Sequence, residues 1–167
     1  MSAWRSLENI DEQFWAEMLD TNLKSVLFGA QAAARHMEKG GVILNVSSLA
    51  GKRGSANNSA YCAAKFGVNG ITQALAKELG PRGIRVNAVC PVYVKTPGLQ
   101  AALKNPDSPA RGKDIGIYLK KFAKEQASLG RLPEAREVAE LCLFLASPAA
   151  SAITGQCINV DCGVLPQ

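Results

Sequence analysis

The apolar positions change their period several times along the chain, and each change marks an element. Residues 11–20 read as a short helix with Phe14, Met18 and Trp15 on its inner side. A longer helix is predicted over 21–39, where Leu23, Val26, Leu27, Ala30, Ala33, Ala34 and Met37 recur at three- and four-residue steps. Gly40-Gly41 stops it. The run 42–46 is short and apolar on both faces, which suits a strand inside a parallel sheet covered by helices. Residues 47–59 are small and polar, hence a loop, and 60–79 is helical with Val68, Ile71, Leu75 and Leu79 in one stripe. Gly80-Pro81-Arg82-Gly83 ends that helix, and a second apolar strand runs over 84–90. Three prolines make 97–109 an irregular loop. Residues 113–129 form an amphipathic helix with Ile115, Tyr118, Leu119, Phe122 and Leu129 on one side. Pro133 opens a further helix with Val138, Leu141, Cys142 and Leu145 facing inward, and 157–160 is a third short strand.

Strand, helix and strand joined by short links form a βαβ unit. Three buried parallel strands with interleaved helices give an α/β layered architecture over 1–167, one domain without repeat or internal boundary. Three strands make a small sheet, however. An edge as apolar as 42–46 invites aggregation if nothing covers it, so the sheet is expected to continue into a partner or into further sequence.

Composition narrows the class. The chain has 167 residues, 47% hydrophobic and 20% charged, which is ordinary for a soluble globular domain. No run of 18 or more apolar residues suggests a membrane span, and the first residues lack a signal core. Five cysteines without a Cys-x-x-Cys pair, and His36 as the only histidine, speak against a metal site. Reduced, mostly buried thiols in a cytoplasmic protein are expected instead. The net charge of +5 comes without a basic run, so nucleic-acid binding is not expected. The stretch 97–130 alone supplies +3 of it.

Tyr61 and Lys65 stand four residues apart at the start of a helix, which puts a phenol and an ammonium on one face. Such a pair arises by chance in roughly one chain in three of this length, so spacing alone leaves a half-buried tyrosine beside a solvated lysine as the alternative. A free phenol titrates near ~10, too high for acid–base work at neutral pH. Lowering it by about three units needs roughly 4 kcal/mol. A cation at ~4 Å supplies about that much at an effective dielectric of ~20. Ser48, thirteen residues before Tyr61, ends the first strand, and the carboxyl ends of parallel strands are where α/β sheets bind ligands.

Together these residues resemble a known family. Asn45-Val46-Ser47-Ser48, then Tyr61-x-x-x-Lys65, then 91–96 after the second strand, are similar to the classical short-chain dehydrogenases/reductases. Asn22 lies 39 residues before Tyr61 and matches that family's asparagine. The tail, with Gly130-Arg131-Leu132-Pro133-Glu134, Phe144-Leu145-Ala146-Ser147, Ile153-Thr154-Gly155-Gln156 and Val160-Asp161, resembles it too. The resemblance implies the C-terminal half of a doubly wound, Rossmann-like parallel sheet. It also implies hydride transfer between NAD or NADP and a small-molecule carbonyl or secondary alcohol, of the 3-oxoacyl-carrier-protein reductase or the sugar/polyol dehydrogenase kind. Tyr61 would then be the acid or base, Ser48 would orient the substrate oxygen, and Asn22 would hold a water. Lys65 would lower the phenol pKa and bind the nicotinamide ribose. Pro91, the Val94 backbone and the Thr96 hydroxyl would meet the nicotinamide. Helices 21–39 and 60–79 would build a homodimer or homotetramer, with Gly67, Gly70 and Ala74 allowing close approach. Ser47 reads as structural, Asn45, Asn87 and Asn159 as hydrogen-bonded strand residues, and His36 as a solvated cation at a helix end.

Three departures stand out. The family's opening Thr-Gly-x-x-x-Gly-x-Gly turn, which presents backbone N–H groups to a pyrophosphate, is absent, as is its Asn-Asn-Ala-Gly segment. Val92 follows Pro91 where glycine is usual, and Cys162 stands where Asp-Gly-Gly is common. Three readings follow: an oxidoreductase represented by its catalytic portion, a truncated non-catalytic remnant acting through subunit association, and a basic binding module. The stretch 97–130 corresponds to the family's variable substrate lid. Its charge would suit an anionic or carrier-bound substrate, against the plainer reading of a solvated lysine face.

Overall fold

The chain folds as a three-stranded parallel sheet with helices on both faces, in a computed structural model that describes residues 2–166. The elements run α1 (Glu12–Leu19), α2 (Ser25–His36), β1 (Gly41–Val46), α3 (Ser59–Leu79), β2 (Ile84–Pro91), α4 (Pro97–Leu103), α5 (Ile115–Gln126), α6 (Ala135–Ala146) and β3 (Cys157–Val160). The strand order is β1-β2-β3. Ile43 pairs with Val86, and Val89 with Ile158.

Alternation along the strands divides the core in two. On one face Ile43, Ile84 and Val86 pack against Ala30, Ala34 and Ala76 of α2 and α3. On the other, Val89 packs with Leu145 and Ala150, with Leu44 and Ile158 beside them. Small residues on α2 and α3 let those helices lie close to the sheet. The strand asparagines are hydrogen-bonded as expected. Asn45 Nδ2 donates to Thr72 Oγ1 at 2.9 Å. Asn87 donates to the Ile153 carbonyl at 2.9 Å and accepts from Gln156 N at 3.0 Å. Asn159 Nδ2 donates to Leu165 O at 2.8 Å, while its buried Oδ1 has no partner among the described residues.

Several boundaries differ from the sequence reading, each for a local reason. The stretch 97–109 is not wholly irregular, because Pro97 starts α4 at a position where a missing N–H costs nothing. Thr96 caps it, its Oγ1 accepting from Leu99 N at 3.2 Å. α5 ends before Leu129, which is 66% exposed; buried Ala127 takes the inner position instead. α6 starts at Ala135 rather than Pro133, behind a capping box made by Glu134 and Glu137. Trp15 and Leu27, placed inward by periodicity, are 44% and 40% exposed. The helices expected over 11–20 and 21–39 are joined through a π turn, Asp20–Lys24.

β1 is an edge strand with no neighbour on its outer side among the described residues. It is less buried than its apolar sequence implied, with Val46 at 59% exposure. Leu143 and Phe144 of α6 are also exposed. Among the described residues no helix is long and apolar enough to cross a membrane.

Candidate active site

The carboxyl ends of β1 and β2 open into a cleft of about 800 Å³. Its floor is built by one turn. Past Val46 the chain stays in register for one more residue, Ser47 N donating to Val89 O at 2.9 Å. Ser48 then caps a short 3₁₀ turn, Leu49–Gly51, its Oγ accepting from Ala50 N at 3.1 Å. That turn lies against α3. Ser47 Oγ donates to Lys65 O at 3.3 Å, and Asn69 Nδ2 to Gly51 O at 2.9 Å. Ser47 is therefore structural, and it fixes where Ser48 points.

α3 supplies the phenol and the ammonium. Tyr61 is half-buried against Phe14, Met18 and Ala60. Lys65, one turn on, is only 7% exposed. Its Nζ donates to Val46 O at 2.9 Å and sits 5.6 Å from the centroid of the Tyr61 ring. The ammonium thus lies over the ring face, within cation–π range, and bonds a carbonyl. The π turn brings in Asn22, which is buried, with Nδ2 donating to Met18 O at 3.0 Å. Single π turns inside α-helices are frequent at functional sites.

The electrostatics correct one expectation. Burial pushes the Tyr61 phenol above its ordinary value; a hydrogen bond with Ser48 pulls down and Cys62 adds to the rise. Burial also brings Lys65 down, with Cys90 opposing. Spacing suggested that the ammonium would make the phenol acidic. In this chain desolvation is the largest effect on the phenol, opposed by the Ser48 hydrogen bond, because an anion in a poorly solvated site is costly.

The catalytic and cofactor-binding candidates named from the sequence, Asn22, Ser48, Tyr61, Lys65, Pro91, Val94 and Thr96, all line the cleft. Val92 causes no strain, being absent from the positive-φ residues, and it packs beside Leu49. Cys162 does take the left-handed conformation, at φ 54°, where glycine would be at ease.

Sequence reasoning missed the other wall. Trp4, only 3% exposed, Tyr93, Tyr118 and Phe122 form an aromatic group in which the Tyr93 and Phe122 ring centroids are 4.9 Å apart. The Tyr93 and Tyr118 hydroxyls approach to 3.4 Å. The spacing of Tyr118 and Phe122 carried a signal, read only as amphipathicity. Trp4 lies outside any periodic run and carried none. Arg53 and Arg111 also line the cleft.

Known proteins resemble this chain over nearly all of its length. The family model described as Enoyl-(Acyl carrier protein) reductase matches residues 2–165. A short-chain dehydrogenase/reductase of Botryotinia fuckeliana is 37% identical over 158 residues, covering 93% of this chain and 57% of the relative. A 3-oxoacyl-[acyl-carrier-protein] reductase of Chlamydia muridarum is 39% identical, with 95% and 59% covered. A trans-4-hydroxycyclohexanecarboxylate dehydrogenase of Sinomonas cyclohexanicum is 40% identical, with 95% and 54% covered. The chain therefore spans less than two thirds of the length of these relatives. Among solved structures, one described as a short-chain alcohol dehydrogenase from Sinorhizobium meliloti 1021 superposes with a TM-score of 0.87 at 33% identity, covering 98% of this chain and 62% of that one. A 4-hydroxyisoleucine dehydrogenase solved with NADH shares the fold, with a TM-score of 0.83 at 22% identity and coverage of 98% and 65%.

Proposed function

This chain belongs to the short-chain dehydrogenase/reductase family, a family of oxidoreductases, and we propose that it carries the proton-handling part of an NAD(P)-dependent enzyme interconverting a carbonyl and a secondary alcohol. One observation carries the reading. Asn22, Ser48, Tyr61 and Lys65, from three separate elements, converge with the segment 91–96 on a single cleft at the strand ends.

The donor set suits a nicotinamide nucleotide. The Lys65 ammonium has three N–H donors and spends one on Val46 O, leaving two for ribose hydroxyls. Thr96 accepts a bond at its cap but keeps its own hydroxyl hydrogen for a carboxamide, beside Pro91 and the Val94 backbone. The bound nucleotide would supply or accept the hydride. This chain's side chains handle the proton. Ser48 hydrogen-bonds the substrate oxygen and holds it against the Tyr61 hydroxyl. A raised phenol pKa keeps Tyr61 protonated at neutral pH, the form that donates during carbonyl reduction. Asn22 holds a water through which Lys65 exchanges protons with solvent.

The relatives favour substrates of the 3-oxoacyl-thioester or cyclic-alcohol kind, in a cleft for a small molecule rather than on a nucleic-acid or membrane surface. Subunit association through 21–39 and 60–79, as a homodimer or homotetramer, is supported by Leu27, Phe28 and Phe66, exposed at 40%, 54% and 48% on α2 and α3. The reduced thiols fit a cytoplasmic setting. The free edge of β1 favours the second reading, a non-catalytic remnant that works by association.

Titration of the chain with NADH and with NADPH, followed by cofactor fluorescence, separates the two. Binding below millimolar, with carbonyl reduction abolished in Tyr61→Phe, is expected. No binding in that range leaves the association reading standing.

A further inference from the structure

We propose that Arg53, with Arg111 on the same cleft, makes the substrate arm selective for a carbonyl or alcohol carrying an anionic oxygen group, a carboxylate or a phosphate. The inference rests on the oxidoreductase reading and narrows its substrate.

The sequence has eight arginines, and six have partners. Arg5 pairs with Asp11, Arg131 with Glu137 and Arg136 with Glu140. Arg82 donates to Ala34 O and Met37 O, Arg85 to Ile153 O and Ser147 O, and Arg35 to Gln31 Oε1. The side chains of Arg53 and Arg111 alone make no ion pair or hydrogen bond among the described residues, and both line the cleft. A guanidinium carries five N–H donors in a planar fork matched to carboxylate and phosphate oxygens. Two such forks with nothing to grip, in the cleft that also holds Tyr61 and Ser48, are the complement of an anion brought by a ligand.

The backbone places both residues locally. Arg53 lies just past the Leu49–Gly51 turn that Ser48 caps, after Lys52, its backbone N–H donating to Leu49 O at 3.1 Å. Its charge reaches the Tyr93 hydroxyl and favours that group's ionised form, against the much larger effect of burial. Arg53 therefore stands at the junction of the proton site and the aromatic wall. Arg111 comes from the lid, at φ 48°, with its N–H on Ser108 O at 3.0 Å. Asp107 is the one carboxylate among the residues lining the cleft. Its Oδ2 accepts from Ser6 N at 2.9 Å, and it pairs with neither arginine. The cleft thus holds Lys65, Arg53 and Arg111 against Asp107, an excess of cations. The aromatic wall beside them suits a substrate with an apolar body.

Three probes of one shape test this on the full chain: cyclohexanecarboxylate, cyclohexyl phosphate and neutral cyclohexanecarboxamide. Binding is read by tryptophan fluorescence, through buried Trp4 in the cleft, and by amide chemical shifts. An anionic probe is expected to bind about tenfold or more tightly than the carboxamide, the scale of a charge-assisted contact. The two anionic arms tell which group the forks take. Arg53→Gln should remove the preference while leaving carboxamide binding unchanged, and Arg53→Lys should keep part of it. Equal binding of all three probes, no binding of any, or an undiminished preference in both Arg53→Gln and Arg111→Gln overturns the proposal. Because the probes need no cofactor, the outcomes separate. Selective binding without hydride transfer counts against the oxidoreductase reading alone. Turnover that uses neutral and anionic substrates equally counts against the anion site alone.

Discussion

Gly51 is where the proton site is most sensitive to a single methyl group. A Cβ built there would lie 2.6 Å from Lys65 O, 2.8 Å from Lys65 C and 2.9 Å from Ser47 Oγ. The first two are backbone atoms of α3 and cannot swing aside. Restoring an ordinary contact of 3.4 Å means parting the Leu49–Gly51 turn from α3. The Ser47 Oγ–Lys65 O bond, already long at 3.3 Å, is then lost, and the Asn69–Gly51 O bond of 2.9 Å stretches with it. Overpacking of a tight core costs about 1–3 kcal/mol, and each bond lost adds about 1 kcal/mol. Gly51→Ala is thus expected to destabilise the chain by about 2–4 kcal/mol. For a domain of this size that lowers Tm by about 5–15 °C. Gly54→Ala is the control, since Gly54 is exposed and its added Cβ meets nothing within 4 Å. Thermal melts of both variants, followed by circular dichroism, decide the matter. If Gly51→Ala melts together with Gly54→Ala, the turn is not wedged against α3, and the account of how Ser48 is aimed fails.

Other measurements bear on neighbouring claims. Thr72→Val removes the acceptor for the buried Asn45 amide and should cost about 1–3 kcal/mol in urea unfolding. Tyr61, Tyr93 and Tyr118 are all pushed up chiefly by burial, so absorbance at 295 nm should show no tyrosinate forming below about pH 10. Ser48→Ala should raise Tyr61 further, by removing the bond that favours its ionised form. Glu137 is held at about 2 by the Arg131 guanidinium and then by the Glu134 N–H. A folded pKa below the unfolded value of about 4.3 stabilises the fold above that pH, and the contribution is lost as pH falls towards about 2. Carboxyl carbon shifts should report that midpoint, and Arg131→Gln should move it up.

How much of this was legible beforehand depended on whether the deciding force leaves a periodic trace. The three strands and α3 were readable nearly to the residue, because burial on both faces selects apolar runs and Gly83, at φ 71°, ends the turn that follows α3. α4 was hidden because its proline lies at the one helical position where proline is harmless, and composition alone reads as a break. The π turn left no trace, since inserting one residue into a helical repeat shifts a stripe without erasing it. The residues of the proton site were found through motif spacing, yet the aromatic wall was not. Trp4, Tyr93 and Phe122 meet only through tertiary packing.

The sign of the phenol's shift shows the same division sharply. Helical spacing guarantees that Tyr61 and Lys65 share a face, and Coulomb's law then predicts a more acidic phenol. That prediction leaves burial out of account, and burial acts on both groups here. Lys65 Nζ donates to Val46 O and lies over the Tyr61 ring, 5.6 Å from its centroid. Both groups are removed from water, so burial raises one and lowers the other. Moving Tyr61 down therefore needs a further positive charge in the cleft, beyond what this chain brings to the phenol. An oxidised nicotinamide would be such a charge; NADH would not. Under the proposed function the free chain is thus poised to donate a proton, and acquires the opposite competence only when the oxidised cofactor is bound. Tyr61 absorbance titrated with and without NAD should then show a downward shift that NADH does not reproduce.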